Sequence, residues 1–181
     1  MKATGMVRRI DELGRIVIPK EIRKNYKIRE GDALEIFAGG DELILRKYSP
    51  LKDLKKLADN YTRTLAEALE CSVLFCDRNI YIACAGTNGY DYTDTEISGE
   101  ISSCIEERKT AVLNSADGAR TVPLKNGGIS EFSAQIIVPF IAGGDVMGGM
   151  VMFTTDKERK FENSDAKSAK VTAMLMSREL S

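Results

Sequence analysis

The sequence predicts an α+β protein of two units, and three observations carry that reading. Segments before residue 49 are strand- and turn-length. From Leu51 onward, apolar residues recur first at helical spacing and then in paired strand-length runs. The charge is divided as well. Residues 1–29 hold nine Lys/Arg (2, 8, 9, 15, 20, 23, 24, 27 and 29) against three acids, a balance of +6, whereas residues 51–181 hold fifteen against nineteen, a balance of −4. An overall charge of −1 therefore conceals a basic head, residues 1–49, on an acidic body, residues 50–181, with the junction at Ser49-Pro50. A basic cluster of this kind is the footprint of a surface that binds a polyanion.

Within the head, Gly5 to Ile10 has the length of a strand, Asp11-Glu12-Leu13-Gly14 is a turn, and Arg15 to Ile18 is a second apolar run that Pro19 stops. Pro19 suits the first position of a short helix, where its missing N–H would be unpaired and its fixed φ fits. Ile22 and Tyr26 share one face of that helix, and Arg23, Lys24 and Lys27 lie elsewhere. Arg29 to Asp32 reads as a turn, Ala33 to Phe37 as a strand, Gly39-Gly40-Asp41 as a hairpin turn and Glu42 to Tyr48 as a further strand, giving the order β-β-α-β-β. So short a unit cannot bury enough apolar surface to fold securely alone. A second copy is expected to complete its core, and a two-fold dimer would double the basic surface.

The body opens with a stripe of Leu51, Leu54, Ala58, Tyr61, Leu65 and Ala68, spaced alternately three and four apart. That spacing serves equally for a seam between subunits and for packing on the body's own sheet. Ser72 to Cys76 and Ile80 to Cys84 are strand-like around the turn Asp77-Arg78-Asn79. A helix is expected over Thr93 to Arg108 on the spacing of Ile97, Ile101 and Ile105, and a short strand over Ala119 to Leu124. Ala134 to Ala142 and Val146 to Thr154 flank Gly143-Gly144-Asp145 as a second hairpin of buried-sheet composition. A last helix, Glu162 to Leu180, carries Ala166, Ala169, Ala173, Met176 and Leu180 on one face.

Composition excludes several classes. At 43% apolar and 29% charged residues the chain is ordinary for a soluble globular protein. It has no apolar run of membrane-spanning length and no signal-peptide core, so a cytoplasmic protein without membrane contact is expected. Cys71, Cys76, Cys84 and Cys104 form no C-x-x-C pair, and no histidine is present to complete a mixed zinc site. Free thiols in a reducing compartment are expected, with no metal, no cofactor and no catalytic residues.

Lys2-Ala3-Thr4-Gly5, Arg8-Arg9, Asp11 to Arg15, Val17-Ile18-Pro19, Arg23-Lys24 and Gly31 to Glu35 together resemble the AbrB-type swapped-hairpin DNA-binding domain over nearly all of residues 2–48. The element order of residues 51–181 is compatible with a GAF-like sensor domain. The whole chain thus resembles a family of regulators of late sporulation genes in endospore-forming bacteria, acting as activators and repressors. The resemblance implies a small swapped-hairpin β-barrel formed by two interleaved heads, then a GAF-like domain whose bracketing helices join subunits into a homotetramer. It implies double-stranded DNA as partner, a nucleoid-associated place in the forespore cytoplasm, and an unidentified small-molecule ligand for the body. By matching positions it places DNA contacts on Arg8, Arg9, Arg15, Arg23 and Lys24. Where relatives carry a further basic residue and a Thr-Leu pair, this sequence has Asn25-Tyr26-Lys27, and Lys27 stands in for the missing charge. Arginine suits these positions because its planar fork holds a phosphate or a guanine edge through two bonds.

Other motifs read more simply. Gly14 marks a turn needing positive φ rather than a phosphate cradle. Gly86-Thr87-Asn88-Gly89, Gly127-Gly128 and Gly143-Gly144 are loops, and Gly148-Gly149 marks a bulge, preferred here over a close approach to a ligand. Asp91, Asp94 and Glu96 form an acidic cluster in the first turn of a helix. Two further functions stay open: an antitoxin, which the folded character of the body disfavours, and an enzyme with a nucleic-acid tether, for which no nucleophile and base are paired.

Overall fold

The computed structural model describes residues 5–87 and 89–181. Lys2-Ala3-Thr4 of the head motif and Asn88 of the Gly86 to Gly89 loop lie outside the described residues. The chain divides into two compact units between Tyr48 and Ser49.

The head contributes helix α1 (Lys20–Asn25) and an antiparallel ribbon of β1 (Leu34–Gly39) and β2 (Glu42–Lys47) in register from Leu34↔Lys47 to Gly39↔Glu42. Gly40 turns the ribbon at φ 57°, a left-handed value that glycine adopts without a Cβ clash. Gly5 to Ile10 and Arg15 to Ile18 form no strand within one chain, so the single-chain order is α-β-β rather than β-β-α-β-β. The turn between them does close, with Gly14 N–H donating to the Asp11 carbonyl (2.9 Å) and Asp11 N–H to the Arg15 carbonyl (3.0 Å). The head's sheet is a two-stranded ribbon, so the expected β-barrel is not closed among the described residues. Pro19 sits one position earlier than expected, at the N-cap: its ψ of 150° is extended, and its carbonyl accepts the first helical bond from Arg23 N–H at 2.9 Å. No head residue among those described is buried.

The body is a three-layer sandwich. One antiparallel sheet, ordered β4-β3-β7-β6-β5, joins β3 (Ser72–Asp77), β4 (Tyr81–Ala85), β5 (Ala111–Asn114), β6 (Ala134–Ala142) and β7 (Asp145–Thr154). On one face lie α2 (Pro50–Asp53), α3 (Lys55–Leu69) and α5 (Asn163–Glu179), and on the other α4 (Gly99–Glu106). Helices on both faces explain why every residue of β3 is buried: Val73 and Phe75 point to the α3/α5 side, Leu74 and Cys76 to the α4 side. The stripe from Leu51 breaks at Leu54 (φ −93°, ψ 17°), which separates α2 from α3. Leu54, Tyr61 and Leu65 pack against the body's own core, and Ala68 is exposed. The fully buried line runs instead through Leu51, Ala58 and Thr62.

Three body elements differ from the sequence reading. The helix over Thr93 to Arg108 is confined to Gly99–Glu106. Its start is fixed by Ser98, whose Oγ accepts from Ile101 N–H (3.0 Å), while Ile97 is tied to the Asn79 carbonyl (2.9 Å) and Glu96 bridges Ile80. Asp91, Asp94 and Glu96 are therefore loop residues and not a helical first turn, and Asp91 Oδ1 accepts from Thr93 N–H at 2.8 Å. Ala119 to Leu124 is not a strand; the buried Gln135 side chain satisfies Val122 through N–H···Oε1 (2.9 Å) and Nε2–H···O (3.2 Å). The strand on that side is β5, at Ala111–Asn114.

All four cysteines are free, two of them buried. Burial pushes the Cys71 thiol up to about 11, and burial likewise raises Cys76 and Tyr81. A group held neutral in the fold but free to ionise when unfolded favours the unfolded chain once pH passes its ordinary value. The contribution of these groups is thus expected to be constant up to about pH 9 and to lower stability progressively above it. Urea midpoints at pH 8 and 10 check this, and equal midpoints would contradict it.

Candidate nucleic-acid interface

The five matched cations occupy two short elements of the head. Arg8 and Arg9 precede the Asp11 to Gly14 turn, Arg15 follows it, and Arg23 and Lys24 lie in the last turn of α1. All five side chains are exposed. The turn is organised by Asp11, whose Oδ1 accepts from Leu13 N–H (3.0 Å) and Arg15 N–H (2.7 Å) and whose Oδ2 accepts from Arg15 Nε (2.8 Å). These bonds, with the Arg15 backbone contact foremost, hold the Asp11 carboxyl below its ordinary range. Arg15 remains 70% exposed in that pair, and an exposed ion pair contributes little, so its guanidinium is available to a stronger anion. Arg8 donates to the Val7 carbonyl at 3.1 Å. Among the described residues, Arg9, Arg23 and Lys24 make no ion pair, although Glu12 and Glu21 are close in sequence.

Helix α1 ends in a Schellman motif: Ile28 N–H donates to the Arg23 carbonyl (2.8 Å), Lys27 N–H to the Lys24 carbonyl (3.2 Å), and Lys27 takes φ 51°. The motif uses the backbone carbonyls of the two matched cations and leaves their side chains outward. Lys47 Nζ donates to the Lys27 carbonyl and lies 3.6 Å from Asp32 Oδ2, tying the loop after the helix to the Arg29 to Asp32 turn. Lys47 escaped the sequence reading because its partners lie far along the chain. Asp11 was legible, since an Asx residue three before a glycine is the signature of this turn. The head also exposes apolar side chains on the same unit, including Val7 at 85% and Leu43 at 73%.

Comparison with known proteins finds a match to each unit. Residues 53–181 match the family described as Stage V sporulation protein T C-terminal, transcription factor, and residues 7–53 match Antidote-toxin recognition MazE, bacterial antitoxin. Stage V sporulation protein T of Bacillus subtilis is 46% identical over 158 residues, 87% of each chain. Transition state regulatory protein AbrB of the same organism is 56% identical over 50 residues, 28% of this chain and 52% of that one. The GAF domain of an Acinetobacter phosphoenolpyruvate-protein phosphotransferase superposes with a TM-score of 0.54 at 16% identity, covering 74% of this chain and 83% of the other. That likeness establishes a GAF-like fold for the body. An AbrB-like head joined to a GAF-like body, with 46% identity across 87% of the chain, shows that this protein belongs to the stage V sporulation protein T family of transcription factors.

Proposed function

We propose that the head (residues 1–49) binds double-stranded DNA through Arg8, Arg9, Arg15, Arg23 and Lys24. The body (residues 50–181) then acts as a small-molecule sensor and oligomerisation unit of a regulator that activates some late sporulation genes and represses others. The observation that supports this best is the outward presentation of all five cations around one turn and one short helix. Most such contacts fall on phosphates, which gives high affinity with weak sequence discrimination. Residual preference then comes from the shape of the duplex. The protein works as a binding protein rather than an enzyme, on the nucleoid of the forespore cytoplasm. No helix of the described residues is long and apolar enough to cross a membrane. Fluorescence anisotropy of the full chain on duplex DNA tests the reading: alanine at Arg23 is expected to weaken binding to unrelated sequences alike, and unchanged affinity would reject the site.

Exposure of the head's apolar side chains supports dimerisation, since a unit with no buried residue among those described needs a second copy to cover them. A tetramer is supported by α5, which buries Ala166, Ala169, Ala173 and Met176 but exposes Val171, Met174 and Leu175. Joining Val171→Glu to Met174→Glu is expected to reduce the tetramer to a dimer by light scattering while the head pairing persists. A double variant that stays tetrameric excludes this face.

The match of residues 7–53 to an antitoxin family favours a second reading, in which the chain neutralises a toxin. The residues after it form a folded body with cores on both faces of its sheet, not a free tail. Rescue of growth against a co-expressed toxin of that kind would favour the antitoxin.

A further inference from the structure

The α4 side of the sheet is a packed core, with Leu74, Tyr81, Ile101, Ile105, Ile137 and Val151 buried in it. Open space lies outside that layer, where the chain between β5 and β6 leaves the sheet. A groove of about 560 Å³ there is lined by Arg120, Glu100, Thr121, Ser130, Ile129 and Phe132, among others. That volume is within the range of small-metabolite sites.

The groove's walls are held by specific bonds, although they carry no strand ladder. Tyr81 Oη donates to the Leu124 carbonyl (2.9 Å), Ser98 Oγ to the Pro123 carbonyl (2.6 Å), and Gly99 N–H to Asn126 Oδ1 (2.9 Å). Lys125 Nζ stands 4.9 Å from the ring centroids of both Tyr90 and Tyr92, a cation–π arrangement. With the Gln135 bonds to Val122, these interactions fix the backbone after Arg120, and Ala119 N–H, donating to the Asn114 carbonyl (3.2 Å), fixes it before.

Two opposite charges line this groove without satisfying each other: among the described residues, neither Arg120 nor Glu100 makes an ion pair. Both side chains are exposed. A guanidinium takes a carboxylate through two parallel bonds, and the Glu100 carboxylate complements an ammonium. The Thr121 and Ser130 hydroxyls, 2.6 Å apart, supply further polar groups, while Phe132 and Ile129 offer apolar surface. A simple dianion would meet the charge of Glu100 as well as that of Arg120.

We propose that this groove binds a zwitterionic metabolite of the amino-acid class, an ammonium and a carboxylate on a partly apolar frame, with Arg120 taking the carboxylate and Glu100 the ammonium. The assignment rests on the sensor reading of the body. A ligand seated here touches Pro123, next to Leu124, whose carbonyl accepts from Ser98 N–H (3.0 Å) at the start of α4.

Isothermal titration of the full chain with L-phenylalanine, L-leucine and L-alanyl-L-phenylalanine tests the site, with N-acetylphenylalanine and phenylalanine amide as controls that each remove one charge. Saturable binding of at least one zwitterion is expected, weakened about tenfold or more by Arg120→Gln, by Glu100→Gln and by removal of either ligand charge. An unchanged melting temperature for each variant confirms that it folds. Absence of binding for all three zwitterions, or binding that both variants retain, overturns the site. DNA affinity measured with and without ligand separates the two readings: binding that depends on Arg120 and Glu100 but leaves DNA affinity unchanged keeps the site and rejects sensing.

Discussion

Gly148→Ala is expected to destabilise the body by about 3 kcal/mol or more. In β7, Gly148 is paired with Asp77 of β3 and Phe140 of β6, and Gly149 with Cys76 and Pro139. A Cβ at Gly148 would stand 2.0 Å from the Cys76 carbonyl oxygen and 2.8 Å from Asp77 Cα. Both neighbours are backbone at the end of β3, paired with the central strand β7, so neither can rotate away as a side-chain tip could. Relief requires the β3–β7 ladder to part, and each broken bond leaves buried groups unsatisfied. The position adjoins a bulge: Phe140 pairs with Gly148 but Ile141 with Val146, which leaves Met147 unpaired. Gly143→Ala is the control, because nothing lies within 4 Å of its Cβ and only its φ of 58° is penalised, at about 1 kcal/mol. Urea denaturation of the two variants checks the contrast. Equal midpoints would show that the sheet adjusts at Gly148 at little cost.

DNA affinity is expected to fall by about 10³ to 10⁵ between roughly 50 and 200 mM salt, the range for roughly six to ten neutralised phosphates. Five matched cations per head, doubled by a two-fold dimer, reach that number. Each neutralised phosphate releases condensed counterions, so log affinity declines linearly with log salt at a slope set by how many phosphates are neutralised. Arg15→Ala and Arg23→Ala are each expected to weaken binding across many sequences and to flatten the slope by about one unit for every phosphate that the variant leaves unneutralised. Arg15 is the more informative of the two. Its guanidinium is bonded to Asp11 at 2.8 Å but stays 70% exposed, so exchanging that exposed partner for a phosphate costs little. Arg23 has no such pair among the described residues and reports the phosphate interaction alone.

How legible these features were depended on how local their causes are. The β3/β4 hairpin was readable because Asp77 caps its own turn, accepting from Asn79 N–H (2.7 Å) and Ile80 N–H (2.8 Å) within four residues. Helix α5 was readable from its alanine face, and the structure adds the reciprocal bonds of Glu162 and Asp165 at its start. The Gly148-Gly149 pair announced a bulge, which the structure has, and the tight approach it makes is to the backbone of β3. Ala119 to Leu124 misled because its backbone partner is the Gln135 side chain, thirteen residues from Val122, and no periodicity encodes that. The helix before Arg108 looked longer than it is because Ile97 shares the spacing of Ile101 and Ile105, yet it is held by Asn79 outside the helix. In the head, Gly5 to Ile10 has strand composition but forms no strand, and composition alone does not supply a pairing partner. Arg120 and Glu100 carried no motif at all, being twenty residues apart and joined only by the fold.

The central claim, that the exposed cations of the head hold DNA through its phosphates, is tested most directly by one titration. Full-length protein and its Arg23→Ala variant are bound to the same duplex by fluorescence anisotropy across a series of salt concentrations. The account expects a steep linear fall in affinity for the parent chain and a weaker, shallower line for the variant. Affinity independent of salt, or coincident lines for the two proteins, would contradict it.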